Sequence, residues 1–538
     1  MCVLVRVREW GGFVMQLNKF SYKGKGAASS RARRPALTGN AKWDHLDNDA
    51  LHEIFRHFDD RQLGRLAQLD RRTRRVAYAS TQTRLGLSDS QWAAFKAVMH
   101  RRESVLLMGT PGSGKSFLLN VLSARMRDPL LTASTGAAAE RIGAWTLHSA
   151  LGLGLADKPA KDIVKKLRAP SRGGRYYPKP CQTCDVIIVD EVSMLTAKTL
   201  DLAQEVVGMM RNRDMPQIVV SGDPMQLGAV GADKDGSFVD SKLVKTLRPY
   251  VLVESFRQAE DSHFLSILNR ARLGCAEPDD LDWLVANSSQ DIGPDAPRLF
   301  CRVNQVADYN DCKLATLPAP SIVYTTTEQG DVPRRSSSYT DSVLRLKVGA
   351  RVMLTSNLTG HVGVHNGSCG TVYAHDAQRV VVNFDNGRTL PIRLVTTEYK
   401  KGKDDDVVGS RTEMPLILAW AVSIHRAQGA TLDSMAVDLS KAFAKGHAYV
   451  ALSRVREVEH VQILGSLSIT TLNNVDKHAL GWYNDCAQRS ADRAKRHRAR
   501  EKKAERDAYE EQADEAALNA AMDAFEAARG RGAQKTTD

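Results

Sequence analysis

The 538-residue sequence contains no stretch that approaches the ~18 consecutive apolar residues of a membrane-spanning helix. The apolar residues at its start are interrupted by Arg6, Arg8 and Glu9, so a secretory signal peptide is not expected. Its eight cysteines are scattered, which indicates a reducing compartment. The sequence therefore predicts a protein that neither spans a membrane nor is secreted.

The cysteines also offer little for a metal site. Cys181 and Cys184 form a C-x-x-C pair, and no second pair of ligands stands at a spacing suitable for zinc. Two thiols ahead of a core strand are a better interpretation of this pair than a bound metal.

Positive charge is unevenly distributed along the chain. The net charge is +13, but residues 1–85 hold 17 Lys and Arg against 8 Asp and Glu, and the remainder is close to balanced. Residues 1–42 are basic and low in hydrophobicity; a solvated tail, a nucleic-acid contact and a nuclear-import signal all stay open. Binding of DNA by the rest of the chain must therefore be argued from motifs.

Residues 104–119, SVLLMGTPGSGKSFLL, predict a nucleotide site because a strand, a glycine-rich turn and a helix start follow one another. The pattern G-x-x-x-x-G-K-[ST] is met by Gly109, Gly114, Lys115 and Ser116. In such a loop, backbone N–H groups and the helix N-terminus bind phosphates. We expect Lys115 to reach the β- and γ-phosphates and Ser116 to bind Mg²⁺.

A second buried strand, in DVIIVDEVSML, ends at Asp190 and Glu191. In an open α/β sheet, the carboxyl ends of the strands face the ligand crevice. Burying two carboxylates there is costly unless they have partners. We expect Asp190 to contribute to the Mg²⁺ site and Glu191 to orient and deprotonate the attacking water.

Four further polar residues complete the predicted ATPase site. The strand in QIVVSGDPMQL ends near Gln226, a candidate sensor of the γ-phosphate. Arg257 in LVESFRQ and Arg454 in AYVALSRVR are candidate arginine fingers, which stabilise charge on the γ-phosphoryl group. Gln91, at a helix start ahead of the phosphate loop, stands where many helicases place a glutamine that reads adenine.

Residues 155–180 are rich in Lys, Arg and Pro and contain Tyr176 and Tyr177. This mixture suits single-stranded nucleic acid, because phosphate pairing combines with base stacking worth ~1–3 kcal/mol per base. A plain solvated insertion is an equally good interpretation.

Residues 43–80 have apolar residues at helical spacing, and this spacing resembles the F-box, a module that docks on the Skp adaptor of cullin–RING ubiquitin ligases. The resemblance implies that the buried or adaptor-facing positions are Leu46, Leu51, Ile54, Phe55, Leu63 and Leu66. A small helical cap on the ATPase is the alternative. An F-box implies a eukaryotic cell or its virus, with residence in the nucleus or a viral DNA replication compartment.

Seven motifs occur in the order found in superfamily 1 helicases: GTPGSGKS, STGAAAERIGAWTLHSALGLG, VIIVDEVSM, GDPMQL, ESFRQ, LAWAVSIHRAQGATLD and GHAYVALSR. Over about residues 87–483 the chain resembles the PIF-type (petite integration frequency) superfamily 1B DNA helicases, relatives of the RecD helicases. The resemblance implies 5′-to-3′ translocation on single-stranded DNA and at DNA forks, driven by ATP and Mg²⁺. DNA repair, recombination, replication or telomere maintenance would be its setting, and a monomer is expected.

The same resemblance assigns the site residues. Catalytic positions are Lys115, Glu191, Gln226, Arg257 and Arg454. ATP-binding positions are Gln91, Gly109, Thr110, Pro111, Gly112, Ser113, Gly114, Lys115, Ser116, Gln428 and Gly429. Mg²⁺ ligands are Ser116 and Asp190, and DNA-binding positions are Ser134, Thr135, His148, His425 and Arg426.

The implied fold is α/β, with two tandem RecA-like P-loop domains, a small SH3-like β-barrel insertion and a short all-α N-terminal module. The expected parts are a disordered tail (1–42), the F-box-like module (43–80), a first RecA-like domain (87–248), a second one (249–346 and 412–483), the barrel (347–411) and a charged helical or disordered tail (484–538).

Two other functions stay open. The chain could be an F-box substrate adaptor whose motor domain mainly recognises DNA structures. It could also be a helicase acting on RNA or RNA–DNA hybrids, because contacts to the sugar–phosphate backbone dominate in both cases.

Overall fold

The computed structural model describes residues 71–169, 180–211, 214–229, 231–258, 261–293, 296–330, 343–356, 367–401 and 406–500, with Leu51, Val332, Val364, Lys503 and Arg506. The chain divides into two compact units, residues 1–84 and 85–538. Helix α1 (Arg71–Leu85) belongs almost entirely to the first unit, where Leu51 is helical and fully buried. No helix of the described part is long and apolar enough to cross a membrane.

The first domain is built on a six-stranded parallel sheet with strand order β3-β2-β4-β5-β1-β6. Its strands are β1 (Val105–Gly109), β2 (Pro129–Ala133), β3 (Trp145–Thr146), β4 (Val186–Asp190), β5 (Gln217–Gly222) and β6 (Arg248–Leu252). β1 and β4 are buried at all five positions, as expected for apolar runs in the middle of a parallel sheet.

Nine helices of the described chain surround this sheet: α2 (Asp89–Met99), α3 (Lys115–Ser123), α4 (Gly136–Arg141), α5 (Leu147–Leu151), α6 (Ala160–Leu167), α7 (Pro180–Thr183), α8 (Ala197–Met210), α9 (Ala232–Asp235) and α10 (Lys242–Thr246). Residues expected to form an insertion contribute to this core, because Ala160, Ile163 and Val164 of α6 are buried in it. Tyr176 and Tyr177 lie outside the described residues.

The second domain has a four-stranded parallel sheet with strand order β18-β7-β19-β20. Its strands are β7 (Arg298–Phe300), β18 (Ala421–Ser423), β19 (Met435–Asp438) and β20 (Val461–Leu464). Its helices are α11 (Ser262–Leu273), α12 (Pro278–Asn287), α13 (Val303–Thr316), α14 (Ile424–Ala427), α15 (His447–Leu452) and α16 (Ile469–Leu472). Its core is separate from that of the first domain.

An antiparallel β domain interrupts the second domain and has its own core of valine, leucine and phenylalanine side chains. Its largest sheet has five strands in the order β14-β13-β12-β11-β17. The strands of the β domain are β8 (Ile322–Thr325), β9 (Thr327–Gly330), β10 (Val343–Leu346), β11 (Arg351–Leu354), β12 (Cys369–His375), β13 (Arg379–Phe384), β14 (Thr389–Arg393), β15 (Val395–Lys401), β16 (Asp406–Glu413) and β17 (Leu416–Leu418).

Residues 477–500 form one continuous helix, α17, which contributes to both parallel-sheet domains. Ala479 is buried in the second core, whereas Cys486 is buried in the first. The Trp482 ring packs edge-on against Phe238 of the first domain, with centroids 5.9 Å apart. Part of the segment expected as a charged tail is therefore packed helix.

Candidate functional site

The phosphate loop connects β1 to α3 and requires glycine at two positions. Gly112 and Gly114 have φ of +83° and +76°, a region that side-chain-bearing residues rarely adopt, and Gly114 is the N-cap of α3. A Cβ on Gly112 would also lie 2.5 Å from the Cβ of Arg257. The two glycines therefore allow the loop to pass close to Arg257, which follows β6 in the sequence.

Lys115 lies buried at the start of α3. Its Nζ donates hydrogen bonds to the carbonyl oxygens of Gly109 (2.8 Å) and Thr110 (2.9 Å). Burial lowers the pKa of Lys115, and the carboxylates of Asp223 and Glu191 oppose this effect. The ammonium thus stands at the rim of the loop with hydrogen bonds that a phosphate oxygen can replace.

The predicted Mg²⁺ residues are in direct contact. The Ser116 hydroxyl donates to Asp190 Oδ2 (2.9 Å), and Asp190 Oδ1 accepts from the backbone N–H of Glu191 (2.9 Å). Burial, and next the neighbouring Glu191, raise the pKa of Asp190, so this carboxylate gains from a cation nearby. A hydroxyl and a carboxylate oxygen are ligands that fit Mg²⁺.

Glu191 follows β4 in a left-handed conformation, with φ of +53° and ψ of +44°, which is uncommon for a non-glycine residue. Its Oε1 lies 3.4 Å from Nη2 of Arg141. Its Oε2 is buried and has no hydrogen-bond partner among the described residues. One carboxylate oxygen is therefore held near a cation while the other is available to a substrate water.

Three arginines lie around the Glu191 carboxylate, and two of them were predicted from the sequence. Arg257 donates Nη1 to the Ser453 carbonyl (2.8 Å); burial, then Arg141, lower its pKa. Arg454 is almost fully buried and donates Nε to the Val450 carbonyl (2.7 Å). Burial, and then Arg257, lower the pKa of Arg454 to about 9, so it stays a cation at neutral pH. Such clustered positive charge suits a polyphosphate.

Gln226 lies at the contact between the two parallel-sheet domains. Its side chain is buried, and no described residue hydrogen-bonds to its Oε1. A Cβ on Gly446, the residue before α15, would lie 2.7 Å from the neighbouring Met225 carbonyl oxygen. Gln226 thus lies next to a close backbone approach between the two domains.

A buried ion pair, which the sequence analysis did not predict, also links the two parallel-sheet domains. Asp223 Oδ1 accepts from Arg272 Nη2 of α11 (2.8 Å), and its Oδ2 accepts from the Tyr449 hydroxyl of α15 (2.9 Å). All three side chains are buried. One sequence signal exists: Arg272 follows Leu268 by four residues on the buried face of α11, where a charged residue needs a partner.

Gln91 is hydrogen-bonded to the protein at both ends of its amide. Its Oε1 accepts from the Ser88 N–H (3.1 Å) in a capping box of α2, and its Nε2 donates to the Ser113 carbonyl (3.1 Å). The neighbouring Phe256 donates its N–H to the Gly112 carbonyl (2.8 Å), and its ring is 55% exposed. The loop thus has a glutamine amide and an aromatic face beside it.

Gln428 and Gly429 reach the first domain from the second. Gln428 Nε2 donates to the Ser193 hydroxyl (3.3 Å), three residues beyond Asp190. The Gly429 carbonyl accepts from Arg141. These contacts place the second domain's motif beside Asp190 and Glu191.

Two of the predicted DNA residues of the first domain, Ser134 and Thr135, directly precede α4. Ser134 donates its N–H to the Asp190 carbonyl (3.1 Å), and its buried hydroxyl has no partner in the described structure. The Thr135 hydroxyl accepts from the Ala138 N–H (3.2 Å) and so caps α4. His148 lies on α5, where burial lowers its pKa.

In the second domain, residues after three neighbouring parallel strands meet. The ring of His425, after β18, stacks on that of Phe443, after β19, with centroids 6.5 Å apart. The Arg302 guanidinium, after β7, lies 5.3 Å from the Phe443 centroid, and Phe443 is 57% exposed. Beneath them, burial, then His425, lower the pKa of His447 to about 4. Arg426 lies on α14 beside His425.

Of the six F-box positions, Leu51 is described and fully buried. The other five lie outside the described residues. Cys181 and Cys184 are buried, and Arg211 Nη1 donates to their backbone carbonyls (3.1 and 2.8 Å). This contact gives the C-x-x-C segment a packing role.

Comparisons with known proteins show which family this chain resembles. Residues 86–289 match a family model described as an AAA domain, and residues 336–374 match the 2B domain of DNA helicase Pif1. The human ATP-dependent DNA helicase PIF1 is 33% identical over 418 residues, covering 73% of this chain. The chain spans 62% of the length of that relative.

A bacterial relative and a solved structure are similar over most of their lengths. The ATP-dependent DNA helicase Pif1 of Bdellovibrio bacteriovorus is 31% identical over 398 residues, which cover 70% of this chain and 88% of the relative. The crystal structure of a Bacteroides Pif1 helicase in complex with ADP-AlF3 and single-stranded DNA is 25% identical. It superimposes with a TM-score of 0.62 over 74% of this chain and 97% of that one.

Proposed function

Since the chain belongs to the Pif1 family of DNA helicases, we propose that it is an ATP-dependent DNA helicase that hydrolyses ATP between its two parallel-sheet domains. The observation that carries this proposal is the split site. Lys115, Asp190 and Glu191 come from the first domain, and Arg257 and Arg454 are held by contacts with the second. In this proposal, closure of the two parallel-sheet domains on each other therefore brings all of the catalytic residues together.

The residues have distinct roles in this proposal. Lys115 and the N–H groups of the loop bind the β- and γ-phosphates, and Ser116 and Asp190 hold Mg²⁺, which neutralises phosphate charge. Glu191 accepts a proton from the attacking water through its unpaired Oε2. Arg257 and Arg454 stabilise the charge that spreads over the γ-phosphoryl oxygens. Gln226 senses the γ-phosphate, and the Phe256 ring offers a face on which the base stacks.

Single-stranded DNA crosses both domains in this proposal, from Ser134 and Thr135 to His425 and Phe443. The Phe443 ring is an exposed stacking surface beside the Arg302 cation, a combination that suits a base and its phosphate. Translocation from 5′ to 3′ and action at forks follow from the family resemblance, as does a role in DNA repair, recombination, replication or telomere maintenance.

The test measures ATPase activity and unwinding by the full chain. We expect single-stranded DNA to stimulate ATP hydrolysis and a 5′-tailed duplex to be unwound, whereas Lys115→Ala abolishes both. A matched control is Lys96→Ala, which removes a partly exposed lysine of α2 over the Trp92 ring, away from the phosphate loop. A chain without DNA-stimulated ATPase, or unwinding that survives Lys115→Ala, contradicts the proposal. If RNA stimulates ATP hydrolysis more strongly than DNA does, the chain is instead a helicase that acts on RNA or RNA–DNA hybrids.

For residues 43–80 we propose docking on a Skp adaptor, which would bring a cullin ubiquitin ligase to DNA in a nucleus or a viral replication compartment. The support is the spacing of the six apolar positions and the complete burial of Leu51. Co-purification with the adaptor should be lost on changing Leu63→Ala with Leu66→Ala. Absence of binding by the intact chain refutes this role and leaves the helicase proposal untouched.

A further inference from the structure

Helix α4 lies where four functional parts of the molecule meet. It begins directly after Ser134 and Thr135, the predicted DNA contacts of the first domain. On one side, a Cβ on Gly367 of the β domain would lie 3.6 Å from Ala137 Cβ. At its last residue, Arg141 contacts both Glu191 and Gly429.

Arg141 divides its guanidinium between the two parallel-sheet domains. Nη1 donates to the Gly429 carbonyl, while Nη2 lies 3.4 Å from Glu191 Oε1. Gly429 has φ of +83°, and a Cβ there would lie 2.6 Å from Nη2 and 2.9 Å from Cζ of Arg141. Glycine is therefore required at 429 both for its backbone conformation and for the approach of this arginine.

The guanidinium group suits this double contact because it is a rigid planar fork with five donors. A tight charge-assisted bond has a length of about 2.7–2.9 Å, so at 3.4 Å the Glu191 carboxylate is oriented without being fully paired. Its second oxygen has no partner in the part of the chain that the structure describes. Glu191 thus keeps one oxygen that is not occupied by a hydrogen bond, as a general base needs.

The hydrogen bond to Gly429 forms only when the second domain lies against α4. Gly429 follows the predicted DNA contacts His425 and Arg426 by a few residues, as Arg141 follows Ser134 and Thr135. A strand that binds both sets of residues brings the two ends of this contact together. Without Gly429, the Glu191 carboxylate is the partner left to the guanidinium, and a tighter pair would withdraw the base from water.

On the basis of the helicase function proposed above, we propose that Arg141 is a positioning residue that couples nucleic-acid-driven closure of the cleft to release of Glu191 as the catalytic base. It acts through its contacts with Glu191 and Gly429. We assign the coupling to this arginine because it is bonded to both domains. Arg454 donates to Val450, Ala430 and Ser453 of its own domain, and Arg257 donates to Ser453.

The experiment compares the full chain with Arg141→Gln, Arg141→Lys and a control, Arg127→Gln, which changes an arginine that is 86% exposed on the same domain. The readouts are the ratio of kcat with and without single-stranded DNA, the KM for ATP, and the Kd for DNA. We expect Arg141→Gln to lower the ratio about tenfold, within the range of allosteric couplings, with KM and Kd changed less than about threefold. Arg141→Lys, which keeps the charge but not the fork, should recover part of the ratio.

The outcomes separate this inference from the helicase proposal. If the parent chain shows no stimulation, the helicase proposal itself fails. If the parent is stimulated and Arg141→Gln keeps the same ratio, or instead loses DNA binding, the coupling role is wrong. A double-mutant cycle adds a second check. Gly429→Ala both strains the backbone and displaces the guanidinium, so the part of its effect on the ratio that comes from the guanidinium should disappear in the Arg141→Gln background. Full additivity overturns the inference.

Discussion

At the scale of single residues, Asp223 is held almost entirely by charge and hydrogen bonding. It is completely buried, and Arg272, Tyr449 and the Met225 N–H supply its partners. Arg272 in turn lies over the Tyr483 ring, 4.3 Å from its centroid. The Arg272 guanidinium holds the pKa of Asp223 below its usual range, against the effect of burial.

We predict that Asp223→Asn destabilises the protein by about 3–5 kcal/mol, because it leaves the Arg272 cation buried without its counter-charge. Asp385→Asn is the control: this carboxylate pairs with Arg351 at 2.6 Å but is 54% exposed, so its loss should cost at most about 1 kcal/mol. Urea unfolding measures both free energies, and equal costs would contradict the prediction.

The same pair predicts an acid limit. Because the folded-state pKa of Asp223 is lowered, its contribution to stability is complete above the unfolded value of about 4 and is lost as the pH falls through the lower folded value. Asp223→Asn should therefore flatten the dependence of unfolding free energy on pH below about pH 4. A variant that keeps the parent's slope there would assign the acid limit to other carboxylates.

His447 predicts a second pH dependence, with the opposite cause. Since its folded pKa is about 4 and its unfolded pKa about 6.5, the unfolded chain takes up the proton first as the pH falls. Stability should decline below pH 6.5, by roughly 2 kcal/mol at pH 5. His447→Leu should remove this decline, whereas His460→Gln, at a partly exposed position, should keep it. Thermal unfolding between pH 7 and 5 measures the difference.

The residues that could be predicted from the sequence are those that belong to short motifs with a fixed spacing. Lys115 and Ser116 sit in a loop of fixed spacing, and Asp190 and Glu191 end an apolar strand, so short patterns locate them. Arg141 could not be found in this way, because its partner Gly429 is 288 positions away. Asp223 and Tyr449 are likewise joined over 226 positions, and only the packing of two domains brings them together.

At the scale of elements, helix α17 shows how charge composition misleads. Its last turns are rich in Lys and Arg, which favours a solvated tail, yet Cys486 is buried and Ser490 Oγ accepts from the Val251 N–H (3.3 Å). Arg493 Nη1 donates to the Pro249 carbonyl (3.2 Å). The buried face is narrow, since residues 491–500 are almost all exposed, so the pattern of apolar residues along the helix is weak.

We predict that Trp482→Ala destabilises the chain by about 2–3 kcal/mol, less than a fully buried tryptophan, because it removes the edge-on contact with Phe238. Trp145→Ala is the matched control: Trp145 is 68% exposed on a short edge strand, and its loss should cost within about 0.5 kcal/mol. Chemical unfolding distinguishes them. If both cost the same, α17 does not stabilise the first domain.

At the scale of the whole molecule, the proposed ATPase site combines carboxylates of the first domain with arginines that are held by the second domain. We predict that Arg257→Ala and Arg454→Ala each lower kcat by roughly 10³-fold or more, as for other arginine fingers, with a much smaller change in KM for ATP. Steady-state ATPase assays with DNA measure both parameters. A matched control is Arg302→Ala, which we expect to weaken DNA binding before it affects kcat at saturating DNA. Variants that raise KM while keeping kcat would make these arginines binding residues.

The general architecture could be predicted from the sequence, whereas the boundaries of the domains could not. Alternation of apolar strands with helices indicates parallel sheets, and the Asp385–Asn386–Gly387 turn indicates the β13–β14 hairpin. The β domain extends further than residues 347–411, since β8 and β17 pack with it from outside that range. When a strand joins a sheet from a distant part of the chain, no nearby sequence pattern shows which sheet it belongs to.

Helix α17 constrains how the protein can move. The chain leaves the first sheet after Leu252 and comes back to it through α17, one rigid rod anchored in both cores. Two bodies attached at two points cannot slide apart or twist freely; they can turn about the line through the attachments. Each nucleotide cycle would then be a hinge rotation of the two domains about that line, and the Arg141–Gly429 hydrogen bond would form in the closed position.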